Sequence, residues 1–125
     1  MRNHSFRKLI LSCLALCLFA VAVLAQDYNS LLGKWNMTSE TDSDPVNWTL
    51  VLKEEEGKLK AFLTTDDGEQ ATKNFTYKDG VIRFEAPYQG EYYEVELKAK
   101  DNKLDGTWSG GGNSGRTTGV KEPGQ

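Results

Sequence analysis

Histidine and cysteine are almost absent from this chain of 125 residues, which has one His and two Cys. All three (His4, Cys13 and Cys17) lie near the N-terminus, so residues 26–125 contain neither residue type. This part of the chain therefore has no Ser-His-Asp or Cys-His nucleophile, no Cys or His ligand for zinc and no disulfide. The composition predicts a protein that is not an enzyme and has no metal site and no cofactor.

Positive charge is also scarce outside the N-terminus. The chain has 15 Lys and Arg against 18 Asp and Glu, and Arg2, Arg7 and Lys8 stand in a segment without acidic residues. Without those three, 12 basic residues oppose 18 acidic ones, a net charge of −6. Such a surface works against binding to nucleic acid or to an anionic membrane. We therefore expect neither as a partner, and the sequence leaves any protein partner unknown.

The only long apolar run is N-terminal. Residues 9–25 carry no charge, follow a basic segment and end in Val23-Leu24-Ala25, which is typical of a cleaved signal peptide. We expect residues 1–25 to be that peptide and residues 26–125 to form one domain, secreted or periplasmic and without a stable membrane anchor. The alternative is an uncleaved anchor, because 17 residues reach the lower limit for crossing a bilayer.

After residue 25 the apolar residues recur with a period of two, which favours strands over helices. In residues 91–99, for example, Tyr93, Val95 and Leu97 alternate with Glu94 and Glu96. Turn dipeptides such as Glu56-Gly57, Asp67-Gly68, Asp79-Gly80 and Asp101-Asn102 separate the runs. The pattern predicts eight strands, at 31–39, 46–54, 58–65, 70–78, 81–86, 91–100, 103–109 and 115–121.

Eight short strands that each turn straight back form an up-and-down meander, and closing it removes its exposed edges. The predicted fold is thus all-β, a small antiparallel up-and-down β-barrel of about eight strands. Pro45 and Pro87 are expected just outside strands. The predicted inner face comprises Leu31, Trp35, Met37, Val46, Trp48, Leu50, Leu52, Leu59, Ala61, Leu63, Phe75, Tyr77, Ile82, Phe84, Tyr93, Val95, Leu97, Leu104, Trp108 and Val120.

The pattern Leu-x-Gly-x-Trp occurs twice, at residues 31–35 and 104–108. A spacing of two puts the three named residues of each copy on one face of a strand. In a closed meander the first and seventh strands flank the eighth, so we expect Trp35 and Trp108 at similar height beside it. The eighth strand carries Arg116, whose guanidinium is expected to stack on an indole.

These residues resemble the calycins, the lipocalin and avidin barrels. Gly33-Lys34-Trp35 is similar to their G-x-W signature on the first strand, and Arg116 is similar to the arginine that packs on that tryptophan in lipocalins. The chain lacks the C-terminal helix of lipocalins and the Asn and Gly-Ser that follow the Trp in avidins. The resemblance therefore implies a barrel that holds a small apolar molecule, and it does not imply biotin binding.

The predicted function is a secreted or periplasmic lipocalin-like binding protein that holds a small apolar molecule inside its barrel. An eight-stranded barrel is either filled by side chains or holds one small ligand, so a packed interaction or inhibitor module without a cavity is the alternative. A carboxylate hydrolase using Glu85, Glu91, Glu94 or Glu96 is a third possibility, which the outward positions of Glu94 and Glu96 disfavour. The candidate ligand-binding residues are Trp35, Trp48, Phe75, Tyr77, Phe84, Tyr93, Trp108 and Arg116.

Overall fold

A computed structural model describes residues 28–66 and 68–123. The predicted signal peptide, both cysteines and Asp67 lie outside the described residues. A single turn of 3-10 helix, Asn29–Leu31, precedes the strands. The strands are β1 (Gly33–Ser39), β2 (Val46–Glu55), β3 (Lys58–Thr65), β4 (Gly68–Ala71), β5 (Lys73–Lys78), β6 (Val81–Tyr88), β7 (Glu91–Lys100), β8 (Lys103–Gly110) and β9 (Asn113–Lys121).

All nine strands form one antiparallel sheet in the order β4-β3-β2-β1-β9-β8-β7-β6-β5. Every neighbour in this order except β1 and β9 is also a neighbour in sequence. The pairing of β1 with β9 joins the first strand to the last, and the outermost strands, β4 and β5, follow each other directly along the chain. The sheet is therefore a nearly closed up-and-down barrel, which confirms the predicted fold class.

The described residues form nine strands and not eight, because the predicted strand 70–78 is divided at Thr72. Its first part, β4, pairs with β3, whereas its second part, β5, pairs with β6 on the other side. At the division the Thr72 hydroxyl donates to the carbonyl oxygen of Ala61 at 2.8 Å. Asn74 takes a positive φ of 53°, and the register shifts between Lys73 and Thr76, as in a β-bulge. One bent segment thus connects the two edges of the sheet.

Five hairpins turn through two residues that both have positive φ, as in the tight type I′ turns that match strand twist. They include three of the predicted turn dipeptides, at residues 56–57, 79–80 and 101–102. A fourth hairpin turns at Gln89-Gly90, so β6 continues to Tyr88 and contains Pro87. The expectation that Pro87 lies outside a strand is therefore wrong.

The core follows the predicted inner face closely. The buried cluster comprises Leu31, Trp35, Met37, Leu50, Leu52, Leu59, Ala61, Leu63, Ile82, Phe84, Ala86, Val95, Leu97 and Leu104. All of these except Ala86 were expected there. Val120 was also expected inside, but it is 49% exposed because its neighbour Gly119 occupies the inward position on β9.

One end of the barrel is covered by the residues that precede β1. Leu31 is buried there, and its carbonyl oxygen accepts a hydrogen bond from Trp35 Nε1 at 2.9 Å. The Tyr28 hydroxyl donates to Glu54 Oε1 at 2.9 Å and lies 3.1 Å from the carbonyl oxygen of Gly57 in the β2–β3 turn. We call this the closed end and the opposite end the mouth.

Candidate functional site

A cleft of about 910 Å³ opens at the mouth. Its inward-facing lining includes Met37, Val46, Trp48, Leu63, Ala86, Tyr93, Val95 and Trp108, and Tyr88 stands at its rim. We call these residues the mouth cleft. The volume falls within the range of small-molecule sites in proteins, about 300–1,000 Å³. Below the cleft, the side chains of Leu50, Leu52, Ile82 and Leu97 are at most 1% exposed, so the barrel is filled towards the closed end and open towards the mouth.

Three aromatic rings form one wall of the cleft. Tyr93 is the central ring and makes edge-to-face contacts with Trp108 on β8, at a centroid distance of 5.9 Å, and with Tyr88 on β6, at 6.2 Å. Because Tyr93 packs between two neighbours, its ring orientation is fixed before any ligand arrives. Trp48 on β2 also lines the cleft.

The indole of Trp48 is held by a short chain of hydroxyl groups. Its Nε1 donates to Ser39 Oγ at 2.9 Å, and Ser39 Oγ shares a hydrogen bond of 2.9 Å with Thr117 Oγ1. Thr117 is fully buried and lies 3.3 Å from the carbonyl oxygen of Thr38. These bonds satisfy the polar atoms inside the barrel, as burial requires. The Trp48 ring therefore contributes apolar surface to the cleft while its N–H is already paired.

The indole of Trp108 is fixed in a similar way. Its Nε1 donates to the carbonyl oxygen of Glu40 at 2.8 Å, and the Glu40 amide donates to the carbonyl oxygen of Arg116 at 2.9 Å. Trp108 lies against Gly115, where an added Cβ would stand only 2.6 Å from Nε1. A glycine at this inward position of β9 makes room for the ring.

The hydroxyl of Tyr93 points towards the rim and donates to Glu91 Oε2 at 3.1 Å. This hydrogen bond to a carboxylate, with desolvation adding to it, raises the pKa of the Tyr93 hydroxyl. Glu91 thus places an anionic group at the edge of the aromatic wall.

The structure distributes the predicted site residues over three levels of the barrel. Trp48, Tyr93 and Trp108 meet in the mouth cleft. Phe84 is buried in the core, and Phe75 stacks on it with ring centroids 6.3 Å apart. Tyr77 lies opposite Ile82, further towards the closed end. Trp35 is 1% exposed beneath the N-terminal 3-10 helix, away from the mouth.

Trp35 and Trp108 are not at similar height, contrary to the expectation from the repeated pentapeptide. Trp35 lies opposite Lys121 on β9, whereas Trp108 lies opposite Gly115. Six residues along a strand correspond to about 20 Å. The order of the strands around the barrel was predicted correctly, but their stagger places the two tryptophans near opposite ends.

Arg116 lies on the outer face and does not stack on a tryptophan. Its neighbour Thr117 takes the inward position, and its own side chain is 60% exposed. The guanidinium binds the Asp105 carboxylate through Nε at 3.2 Å and Nη2 at 2.9 Å. The cation that lies over the Trp35 ring is Lys121, whose Nζ is 5.9 Å from the ring centroid. The assignment of Arg116 to the barrel interior is therefore wrong.

Hydrogen bonding to Arg116, assisted by its charge, lowers the pKa of the Asp105 carboxyl group, and the same contact raises the pKa of Arg116. The pair is a surface ion pair between β8 and β9.

Sequence reasoning missed three features of the site. Ala86 ends the predicted strand 81–86 but was not assigned to the inner face, and Tyr88 belongs to the part of β6 that was not predicted as strand. Ala86 and Tyr88 lie two and four residues after Phe84, which was a usable signal that Pro87 obscured. The Ser39 and Thr117 hydroxyls carried no such signal, because Ser and Thr occur on both faces of the strands in this chain.

The acidic residues considered for hydrolysis do not converge on the cleft. Glu96 pairs with Arg83 at 2.7 Å on the outer face, and Glu85 contacts the side-chain amide of Asn74. Within residues 28–66 and 68–123, the structure contains no group of three or more acidic residues placed to hold a metal ion. The same residues include no helix that is long and apolar enough to cross a membrane.

No protein-family model matches the chain, and no curated protein is significantly similar to it. The structure itself defines the class: a nearly closed, antiparallel nine-stranded barrel, which is compatible with a calycin-like barrel.

Proposed function

We propose that the protein binds a small apolar molecule in the mouth cleft and carries out no chemistry on it. One observation carries this proposal: an open cleft lined by aromatic rings whose indole N–H groups are already bonded to internal acceptors. Apolar contacts with such a surface stabilise a bound ligand, and the ligand needs to supply few hydrogen bonds. Small-molecule sites are typically concave, largely preformed and rich in aromatic side chains.

The cellular setting belongs to the same proposal. The basic start and apolar run of residues 1–25 favour export, so we propose that the barrel works outside the cytoplasm, in the secreted or periplasmic space. There it would act as a carrier or scavenger of its ligand.

Adjacent tyrosines on β7 provide the test of ligand binding. Tyr93 lines the cleft, whereas Tyr92 points outward and is 46% exposed. We expect the uncharged fluorophore N-phenyl-1-naphthylamine to bind the protein with enhanced emission. Tyr93→Ala should weaken this binding about tenfold, since losing an aromatic contact costs about 1 kcal/mol or more. Tyr92→Ala should leave the affinity unchanged.

The alternative is an interaction module that acts through its outer surface. The exposed rings of Tyr88 and Tyr92, at 40% and 46%, support it. Lys73 Nζ covers the Tyr92 ring from 4.0 Å, which reduces the free apolar area there. If no apolar probe binds, or if Tyr92→Ala weakens binding as much as Tyr93→Ala, this alternative replaces the ligand-binding proposal.

A further inference from the structure

The charges of the barrel are divided unevenly between its two ends. Four connections lie at the mouth: β1–β2, β3–β4, β6–β7 and β8–β9. With one flanking residue on each side, their described residues include five carboxylates and no Lys or Arg. The five are Glu40, Asp42, Asp44, Asp66 and Glu91.

The closed end carries no such excess of negative charge. Its hairpin turns, counted in the same way at residues 55–58, 78–81 and 100–103, contain four lysines and four acidic residues. The excess negative charge is therefore a property of the mouth and not of the surface in general. Field lines from charges around a low-dielectric cleft are focused into it.

Two of the carboxylates are close to the cleft itself. Asp66 is part of its lining, and Glu91 Oε2 accepts the hydrogen bond of the Tyr93 hydroxyl at 3.1 Å. The β1–β2 loop, which carries the other three, is folded on itself: Thr41 Oγ1 donates to the carbonyl oxygen of Asp44 at 2.8 Å and accepts from the Ser43 amide at 3.0 Å. Thr41 also lines the cleft.

Two basic side chains of the barrel are engaged by other groups on its outer face. Arg116 is held on the outer face by Asp105, and Lys73 lies over the Tyr92 ring. Among the described residues that line the cleft, none is Lys or Arg. The charge of the carboxylates at the mouth is thus not neutralised from within the cleft.

We propose that the mouth cleft selects an apolar molecule that carries a positive charge, of the arylalkylamine class, over neutral and anionic molecules of the same shape. The apolar body lies in the cleft, and its ammonium group faces the carboxylates and the rings of Tyr88 and Tyr93. An ammonium gains both from opposite charge and from the face of an aromatic ring. This inference rests on the proposed function, since it specifies the ligand of the same site.

Three molecules with one indole body test the proposal: tryptamine, 3-methylindole and indole-3-propionate. Titration calorimetry on the full barrel domain in about 10 mM salt, where the Debye length is about 30 Å, should show tryptamine binding about tenfold or more tighter than indole-3-propionate. In about 1 M salt, where it is about 3 Å, the difference should shrink. Asp66→Asn and Glu91→Gln should each reduce the preference, while Glu56→Gln, the same charge change at the closed end, should leave it intact.

The outcomes separate the two proposals. Failure of all three indoles and of N-phenyl-1-naphthylamine to bind would overturn the proposed function and this inference together. Binding of indole-3-propionate or 3-methylindole as tightly as tryptamine in low salt would overturn only the inference. The inference would also be overturned if Glu56→Gln weakened the preference for tryptamine as much as Asp66→Asn does. In that case the net charge of the protein, and not the carboxylates at the mouth, would set the preference.

Discussion

Gly115 is the single residue on which the position of Trp108 depends most directly. A Cβ at this position would stand 2.5 Å from the Glu40 carbonyl oxygen and 2.6 Å from Trp108 Nε1. The carbonyl belongs to the backbone, so it cannot move aside as a flexible side chain does. The two groups that crowd Gly115 are also hydrogen-bonded to each other, and a methyl group there would push them apart.

We therefore expect Gly115→Ala to destabilise the fold by about 1–3 kcal/mol, the usual cost of overpacking, and to weaken probe binding at the mouth. Urea denaturation and probe titration measure the two effects. Ser114→Ala, at the exposed neighbouring position, is the matched control and should change neither. Equal stabilities of Gly115→Ala and Ser114→Ala would contradict the packing described here.

The ion pair of Asp105 and Arg116 yields a prediction about pH. Because Arg116 lowers the pKa of Asp105 in the folded state, the pair contributes stability above the ordinary Asp pKa of about 3.9. That contribution is lost as the pH falls through the lower folded value. Both groups are exposed, so the effect is small and is best followed at the titrating group itself.

We expect Arg116→Gln to move the Asp105 titration midpoint upward, which an NMR titration of the Asp105 side-chain carboxyl carbon would measure. Arg83→Gln is the control, because Arg83 is the other arginine of residues 26–125. Arg83 on β6 pairs with Glu96 on β7, so its replacement should leave the Asp105 midpoint unchanged. If Arg83→Gln shifts it as much, general surface charge and not the direct contact sets the pKa.

At the scale of the strand, alternation was the most informative signal in the sequence. It placed Trp48, Tyr93 and Trp108 on the inner face, where the structure has them. Alternation also contradicted the placement of Arg116: Thr117 is inward, and adjacent residues of a strand face opposite sides. The resemblance to lipocalins favoured an inward arginine, whereas the alternation along β9 predicts the outward position that Arg116 has in the structure.

No signal in the sequence indicated that the segment 68–78 changes its paired strand at Thr72. The change depends on tertiary structure, because β4 pairs with β3 whereas β5 pairs with β6. The Thr72 hydroxyl, bonded to the Ala61 carbonyl at 2.8 Å, extends the contact of β4 with β3 by one residue. We expect Thr72→Val to remove about 1 kcal/mol from the local stability of β4. Amide hydrogen exchange in residues 68–71 should then become about fivefold faster.

Thr76→Val, on the exposed face of β5, is the control and should leave exchange in residues 68–71 unchanged. Exchange in β5 itself should be unaffected by Thr72→Val, since β5 is held by β6. Acceleration spread evenly over β4 and β5 would show that the two form one cooperative unit, against the division at Thr72.

At the scale of the whole molecule, the order of strands was predictable and their stagger was not. A meander with tight turns fixes neighbours, and closure fixes β1 beside β9. The position of each residue along the barrel axis depends on the tilt of the strands in the closed barrel. The alternation of apolar and polar residues gives no information about that tilt. This is why the sequence placed Trp35 and Trp108 side by side while the structure separates them by six residues along β9. It is also why only part of the predicted aromatic set forms the cleft.

Closure through β1 and β9 brings the two ends of the described chain together at the closed end. The Glu122 amide donates to the Lys34 carbonyl oxygen at 2.9 Å, and Lys121 Nζ donates to the Ser30 carbonyl oxygen at 3.1 Å. A short Gly-Ser linker from residue 123 to residue 28 is therefore expected to span the gap without strain. Domains whose termini are close tolerate circular permutation at exposed turns.

We expect a permutant opened at Asp79-Gly80, the β5–β6 turn at the closed end, to fold cooperatively and to bind N-phenyl-1-naphthylamine as the parent does. Far-UV circular dichroism, urea denaturation and probe titration are the measurements. The same linker with the chain opened between Thr117 and Thr118, inside β9, should prevent folding, because each half of β9 would have to find β1 and β8 separately. If the first permutant fails to fold while the second succeeds, the barrel does not close through the pairing of β1 with β9.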